Sequence, residues 1–212
     1  GMFFVLILAF SIPLGIFTAR HAGGRLDRAM TAVNQVLMAI PAFVTGILLT
    51  YVFGLVLRWF VPGNYVSPGD NLGGSLWYFL FPAVSIALPR VAMTVKMLRS
   101  SILSELQKDY VRTSHSRGNS DRATLYRHVL RNAMGPVVSF LAMTAADIVA
   151  GSVVIEQVFS LPGLGRMLLT SIANRDYPVV QAVVVIVAFW VVLVNLLADL
   201  INQRLDPRLR LT

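Results

Sequence analysis

"DYVRTSHSRGNSDRATLYRHVLRNAMGPVV", residues 109–138, is an unusually polar stretch in an otherwise apolar chain. It carries Arg112, Arg117, Arg122, Arg127, Arg131, His115, His128, Asp109 and Asp121, with Gly118 near its middle. Over all 212 residues, 56% are hydrophobic and only 13% charged, and mean hydropathy is +0.71. A soluble domain carries about a quarter charged residues, so the deficit points to a membrane protein. The polar stretch is then a connection outside the bilayer, and the apolar runs on either side of it are separate spans.

A hydrocarbon core about 30 Å thick needs about 20 mostly apolar residues in a helix. Five segments qualify: 2–19, 32–60, 76–98, 136–158 and 179–202. None alternates with period two, which argues against a β-barrel; the fold class is an all-α, polytopic helical bundle. The segment 32–60 is long and contains Asn34, Gln35, Pro41, Gly46 and Gly54, so a tilt or bend is expected. Pro82 and Pro89 are expected to kink 76–98. The basic residues set the orientation. Arg20, Arg25 and Arg28 lie in the first connection, Lys96 to Arg131 in the long one, and Arg204, Arg208 and Arg210 in the tail, together most of the 18 Lys and Arg. The alternate connections hold little beyond Arg58, Arg166 and Arg175. The basic side, with the C-terminus, is expected to be cytoplasmic. The span 2–19 then enters from outside with neither a basic n-region nor a cleavage site, so a helix upstream of it is expected.

Within the connection 104–135, Leu103, Leu106, Tyr110 and Thr113 or Ser114 fall at helical spacing, and Gly118 is a natural helix stop. Ser120 suits an N-cap with Asp121 in the first turn. Tyr126, Val129, Leu130 and Ala133 form one apolar stripe, and Pro136 is expected to open the next membrane helix. The segment reads as helix, glycine turn, helix. Chemistry alone leaves two uses open: an amphipathic hairpin on anionic lipid or a surface docked on a protein. A DNA-reading helix-turn-helix is disfavoured, because both ends are tethered at the bilayer.

The run resembles the EAA loop of ABC importer permeases, most closely that of the peptide and nickel uptake branch. Asp109, Tyr110, Val111, Arg112, Thr113, Gly118, Ser120, His128, Leu130, Arg131, Asn132, Ala133, Pro136, Val137 and Val138 match its pattern. Ser114, His115, Ser116, Arg117 and Asn119 depart from it, and Arg112 stands where the general pattern has Glu. "SIPLGIFTA" (Ser11–Ala19) and "MAIPAFVTGILL" (Met38–Leu49) resemble the branch's second and third membrane helices. Residues 158–182 are similar to its external re-entrant segment, and 193–210 to its C-terminal helix and tail. The matches run in order along nearly the whole chain, without the family's first helix and the external region after it.

The resemblance implies a type I ABC importer transmembrane domain with a cytoplasmic coupling helix, a single domain over 1–212. It implies a second homologous permease subunit, two ATPase subunits or domains, an extracytoplasmic substrate-binding protein and the lipid bilayer as partners, and no nucleic acid. Asp109, Tyr110, Arg112, Thr113, Ser114, Gly118, Ser120, His128, Arg131 and Asn132 would couple to the ATPases. No Gly-x-x-x-x-Gly-Lys-Ser/Thr phosphate loop is present, so ATP and Mg are expected on the partners, with no cofactor or catalytic residue in this chain. Relatives carry dipeptides, longer peptides, glutathione, haem or nickel chelates, and the sequence does not choose among them.

Other candidates have simpler readings. His21, His115 and His128 lack an i, i+4 pair and the chain has no Cys, so no metal site is expected; a hydrogen bond inside the loop is expected of His128. The methionines read as packing. Ser152 has no membrane His to act as its base. Ala142, Ala145, Ala146, Ala150 and Gly151 suit close helix contact, and Trp59, Trp77 and Tyr78 an external aromatic belt. "SLPGLG" is either an ordinary outer loop or, as the resemblance favours, a partly re-entrant external gate over 159–178 with Pro162, Gly163, Leu164, Gly165, Arg175, Asp176 and Tyr177. Arg90 and Asp147 are the charges deepest in the spans. Counted from Arg99 and Pro136 they lie about 13 and 16 Å in from the same side. They are expected to face inward, as an ion pair or as charged linings of the path; the alternative is a snorkelling Arg90 and a protonated Asp147. An ion channel or secondary transporter remains the rival class, though no internal repeat supports it.

Overall fold

The structure, a computed structural model, describes residues 2–205, and their side chains except those of residues 148–151, 202, 204 and 205. Arg208 and Arg210, and the side chains of Arg204, Ala150 and Gly151, therefore lie outside what is described. Among the described residues every regular element is helical. The spanning helices are α1 (Met2–Arg20), α4 (Leu72–Leu106), α7 (Leu130–Val158) and α9 (Tyr177–Leu205). Between them lie α2 (Arg25–Ala39), α3 (Ala42–Leu49), α5 (Asp109–Ser116), α6 (Asp121–Thr124) and α8 (Leu164–Ala173). The chain is a polytopic bundle, as its composition indicates.

The expected span 32–60 is not one helix. Helix α2 begins at Arg25, and α3 continues as a π-helical turn over Thr50–Val56; the two parts meet at 92°. The break lies at Ile40 and Pro41, both extended. Proline disfavours the α conformation in the residue before it, and here Pro41 is itself the N-cap of the next helix. By contrast α4 runs unbroken through Pro82 and Pro89, beyond both ends of 76–98. Likewise Pro136 does not start α7 but sits inside it on an exposed position, where a missing N–H disturbs nothing packed.

The core joins α1, α4, the hairpin and α7. Ile7, Ile16, Leu98, Ile102, Val111, Leu125, Val129, Ala133, Val137 and Leu141 form one buried cluster. Gly15 brings α1 onto α4 so closely that a Cβ there would stand 2.8 Å from Leu98 Cδ2. Ala142 and Ala145 of α7 face Val194 and Ala198 of α9, and Trp190 Nε1 donates to the Ala145 carbonyl at 3.2 Å. Such small residues let helices meet without a hydrophobic driving force.

The end remote from the hairpin is closed by an aromatic cluster of Phe53, Trp59, Phe60, Trp77, Tyr78, Phe81 and Phe159. Tyr78 does not belong to an outward belt: it is buried. Its hydroxyl donates to the Phe159 carbonyl at 2.6 Å and accepts from the Gly63 amide at 3.1 Å. A buried phenol needs such partners, and these two tie the loop before α4 to the end of α7. Trp59 and Trp77 are exposed, with Trp77 Nε1 donating to the Trp59 carbonyl at 3.0 Å.

Candidate functional site

At the basic end, α5 and α6 form a hairpin between α4 and α7. Gly118 makes its turn at φ 81°, a left-handed conformation that glycine adopts without steric cost. Ser120 caps α6, its Oγ accepting from the Ala123 amide at 3.3 Å. Inside the turn, buried Ser114 and Thr124 share a hydrogen bond of 2.9 Å across the two helices, and Asn119 Nδ2 donates to Ser114 Oγ at 3.1 Å. Outside it, His115 Nε2 lies 3.2 Å from Asp121 Oδ1. Val111 and Leu125 anchor the hairpin on the core.

After α6 the chain makes a π-helical turn over Leu125–Val129. This wider turn rotates each residue through less than an α-helical step, so Leu125, Val129, Ala133 and Val137 share the buried face. Of the expected stripe, Val129 and Ala133 are buried and Leu130 is half-buried, while Tyr126 is exposed and Leu125 takes its place.

The expected coupling residues divide into two groups. Ser114, Ser120 and Gly118 shape the hairpin. Tyr110 fastens it, its hydroxyl donating to Glu105 Oε2 at 2.8 Å and bonding the Asn132 side chain. Burial raises the Tyr110 phenol above its ordinary value, against the hydrogen bond from Asn132 and with the help of the Glu105 carboxylate. Asp109, Arg112, Thr113, His128, Arg131 and Asn132 present exposed surface. Among the described residues the His128 imidazole has no hydrogen-bond partner, so the internal bond expected of it does not form; His115 pairs instead. A contact invisible at sequence level braces the root of the hairpin. Asp27 of α2, 5% exposed, receives Arg99 Nε at 2.8 Å and Nη2 at 2.6 Å, and the Gly23 amide at 2.9 Å.

At the opposite end, α8 folds back on α7. Gly163 and Gly165 are required by contact rather than by φ. A Cβ on Gly165 would stand 2.7 Å from Val153 Cα, and one on Gly163 2.2 Å from the Glu156 carboxyl carbon. That carboxylate caps α8: Oε2 accepts from the Arg166 amide at 2.9 Å, while Oε1 accepts from Ser152 Oγ at 3.0 Å. An acid at a helix N-terminus satisfies a free N–H and complements the helix dipole. Sequence reading missed Glu156; its signal is a lone acid at the end of a span, just before Pro162-Gly163. Pro162, Gly163 and Leu164 line an open groove with Arg166, Met167 and Thr170. Arg175, Asp176 and Tyr177 are exposed between α8 and α9, with Arg175 at φ 57°. A cavity of about 360 Å³ lies between the start of α1, α4 and α7, apolar except for Ser152 and Glu156.

Arg90 is half-buried on α4, and Asp147 is exposed on α7, which packs against it. The two form no ion pair with an N–O distance of 4.0 Å or less. Among the described residues no cluster of His, Cys, Asp or Glu could hold a metal.

Residues 11–211 match the family described as binding-protein-dependent transport system inner membrane component. The chain is 34% identical over 206 residues to the probable peptide ABC transporter permease protein y4tP of Sinorhizobium fredii, covering 97% of this chain and 66% of that one. It is 35% identical to the oligopeptide transport system permease protein AppB of Bacillus subtilis, again over 97% and 66%. It is 33% identical to the nickel import system permease protein NikB of Staphylococcus aureus, over 98% and 60%. The chain thus spans about two thirds or less of the length of these curated relatives.

Proposed function

The chain belongs to the family of binding-protein-dependent transport system inner membrane components, and on that premise we propose that it is the permease subunit of an ATP-driven importer. It forms half of a translocation path for peptides or a related small solute, beside a second homologous permease subunit. ATP is hydrolysed on two partner ATPases at the cytoplasmic side, where the C-terminus also lies. An extracytoplasmic binding protein delivers the solute at the α8 end. Arg90 and Asp147 line the path, as poles for a solute that carries both charges or as partners in a rearranged state.

The observation that carries this reading is the hairpin. It is internally fastened through Ser114, Thr124 and Asn119, rooted in the α1–α4–α7 core, and its outer face is exposed. A rigid, short helical element held this way fits a helix-in-groove contact. Closure of the ATPases would then move the bundle as a body.

The test uses the transporter reconstituted with its partners. A Cβ at Gly118 would meet nothing within 4 Å, so Gly118→Val tests the left-handed backbone alone, at a cost of roughly 1–2 kcal/mol. Membrane insertion is expected to survive, while solute-stimulated ATP hydrolysis and uptake fall together. Unchanged uptake would reject the coupling role of this turn.

A further inference from the structure

Helix α2 shows three distinct faces. Asp27, Met30, Thr31, Asn34 and Met38 turn toward the bundle, as their burial records. Leu26, Val33 and Val36 fall on a second face and are exposed, with Ala29 between them. Arg25, Arg28 and Gln35 form a third, polar and also exposed. A helix in water has no use for the second face, and a spanning helix has no use for the third. Helices that carry both lie in a membrane interface.

The connections agree. Helix α1 ends at Arg20 and α3 begins at Ala42, each entering the bundle as an apolar helix, and α2 meets the α3 segment at 92°. Its 15 residues, about 22 Å long at 1.5 Å per residue, thus run across the direction of the α3 segment. The charge is one-sided too. Asp27, the single acid of α2, is turned inward onto Arg99, which leaves Arg20, Arg25 and Arg28 exposed without an acidic neighbour on α2.

We propose that α2 lies in the headgroup plane on the hairpin side of the membrane, with Leu26, Val33 and Val36 in the acyl boundary and Arg25 and Arg28 on anionic phospholipid. The Asp27–Arg99 clamp joins this lipid-bound helix to the root of the hairpin.

The chain has no Cys, so single cysteines can carry a fluorophore. The assembled transporter, labelled at Val33→Cys or Gln35→Cys, goes into mixed phosphatidylcholine–phosphatidylglycerol vesicles with a nitroxide on one lipid or the other. The Val33 label is expected to be quenched by lipid nitroxide and the Gln35 label by aqueous iodide. Phosphatidylglycerol nitroxide should quench the Val33 label more strongly than phosphatidylcholine nitroxide, by up to about fivefold for each arginine near the surface. Arg25→Gln with Arg28→Gln should remove that preference and leave phosphatidylcholine quenching in place. The proposal is overturned if iodide quenches both labels alike, if neither quencher reaches Val33 because a protein covers it, or if the two lipids quench equally before the arginines are changed.

Discussion

Arg99 grips Asp27 with two nitrogens, Nε at 2.8 Å and Nη2 at 2.6 Å, across 72 positions of sequence. The forked geometry is the strong form of a charged hydrogen bond, and Asp27 is nearly enclosed while Arg99 keeps partial access to water. Removing either partner is therefore unequal. Arg99→Met strands a buried carboxylate and is expected to cost about 3 kcal/mol, the lower end for a broken buried pair. Asp27→Asn, which keeps an acceptor and frees a partly exposed cation, should cost less. Thermal unfolding of the purified permease in detergent reads both, and Asp27→Leu combined with Arg99→Met should recover part of the loss. Equal costs with no recovery would mean the pair does not brace α2 on α4.

The hairpin turn has its own internal check. Ser114→Ala leaves the Thr124 hydroxyl and the Asn119 amide without their shared partner, an expected loss of about 1–3 kcal/mol. Pairing it with Thr124→Val removes the second hydroxyl and should give back part of that loss. Hydrogen exchange of the amides over 114–125 would report the change locally.

At the other end, Gly165→Ala should be worse than Gly163→Ala. The first drives a methyl into Val153 backbone, which cannot yield without moving α8. The second meets the far end of the Glu156 side chain, which can swing away and forfeits a helix cap worth about 1 kcal/mol. With cysteines at Arg175 or Tyr177, impermeant thiol reagents should label from outside in the parent, and faster in Gly165→Ala. Labelling only from the hairpin side would reverse the topology.

Arg90 and Asp147 sit on packed helices without forming an ion pair. Either swap alone, Arg90→Asp or Asp147→Arg, is expected to impair transport by placing like charges at membrane depth. The double swap should recover part of it. Additive damage in the uptake assay would end the idea that the two act together.

Much of this arrangement is legible in the sequence because it is local. Apolar runs of about 20 residues locate the spanning helices, and Gly118 followed by Ser120 and Asp121 marks the turn and cap, since φ preference and capping act within a few residues. What is not legible depends on partners far along the chain. Asp27 reads as one more charge in a basic connection until Arg99 is brought to it. Glu156 acquires its role only when α8 folds back over it. The π-helical turn at Leu125–Val129 buries Leu125 where an α-helical count places Tyr126. Pro41 ends one helix while Pro82 and Pro89 interrupt nothing, because packing of α4 on α1 and α7 outweighs the lost hydrogen bonds.

The central claim is that the hairpin is the surface on which the ATPases act. A photoactivatable cross-linking residue at Arg117, exposed at the tip of the turn, tests it most directly in membranes carrying the complete transporter. Irradiation is expected to capture an ATPase subunit from this position and none from Val185 on the exposed face of α9. Capture of lipid alone at Arg117, or capture of the ATPase from Arg175 at the opposite end instead, would contradict the account.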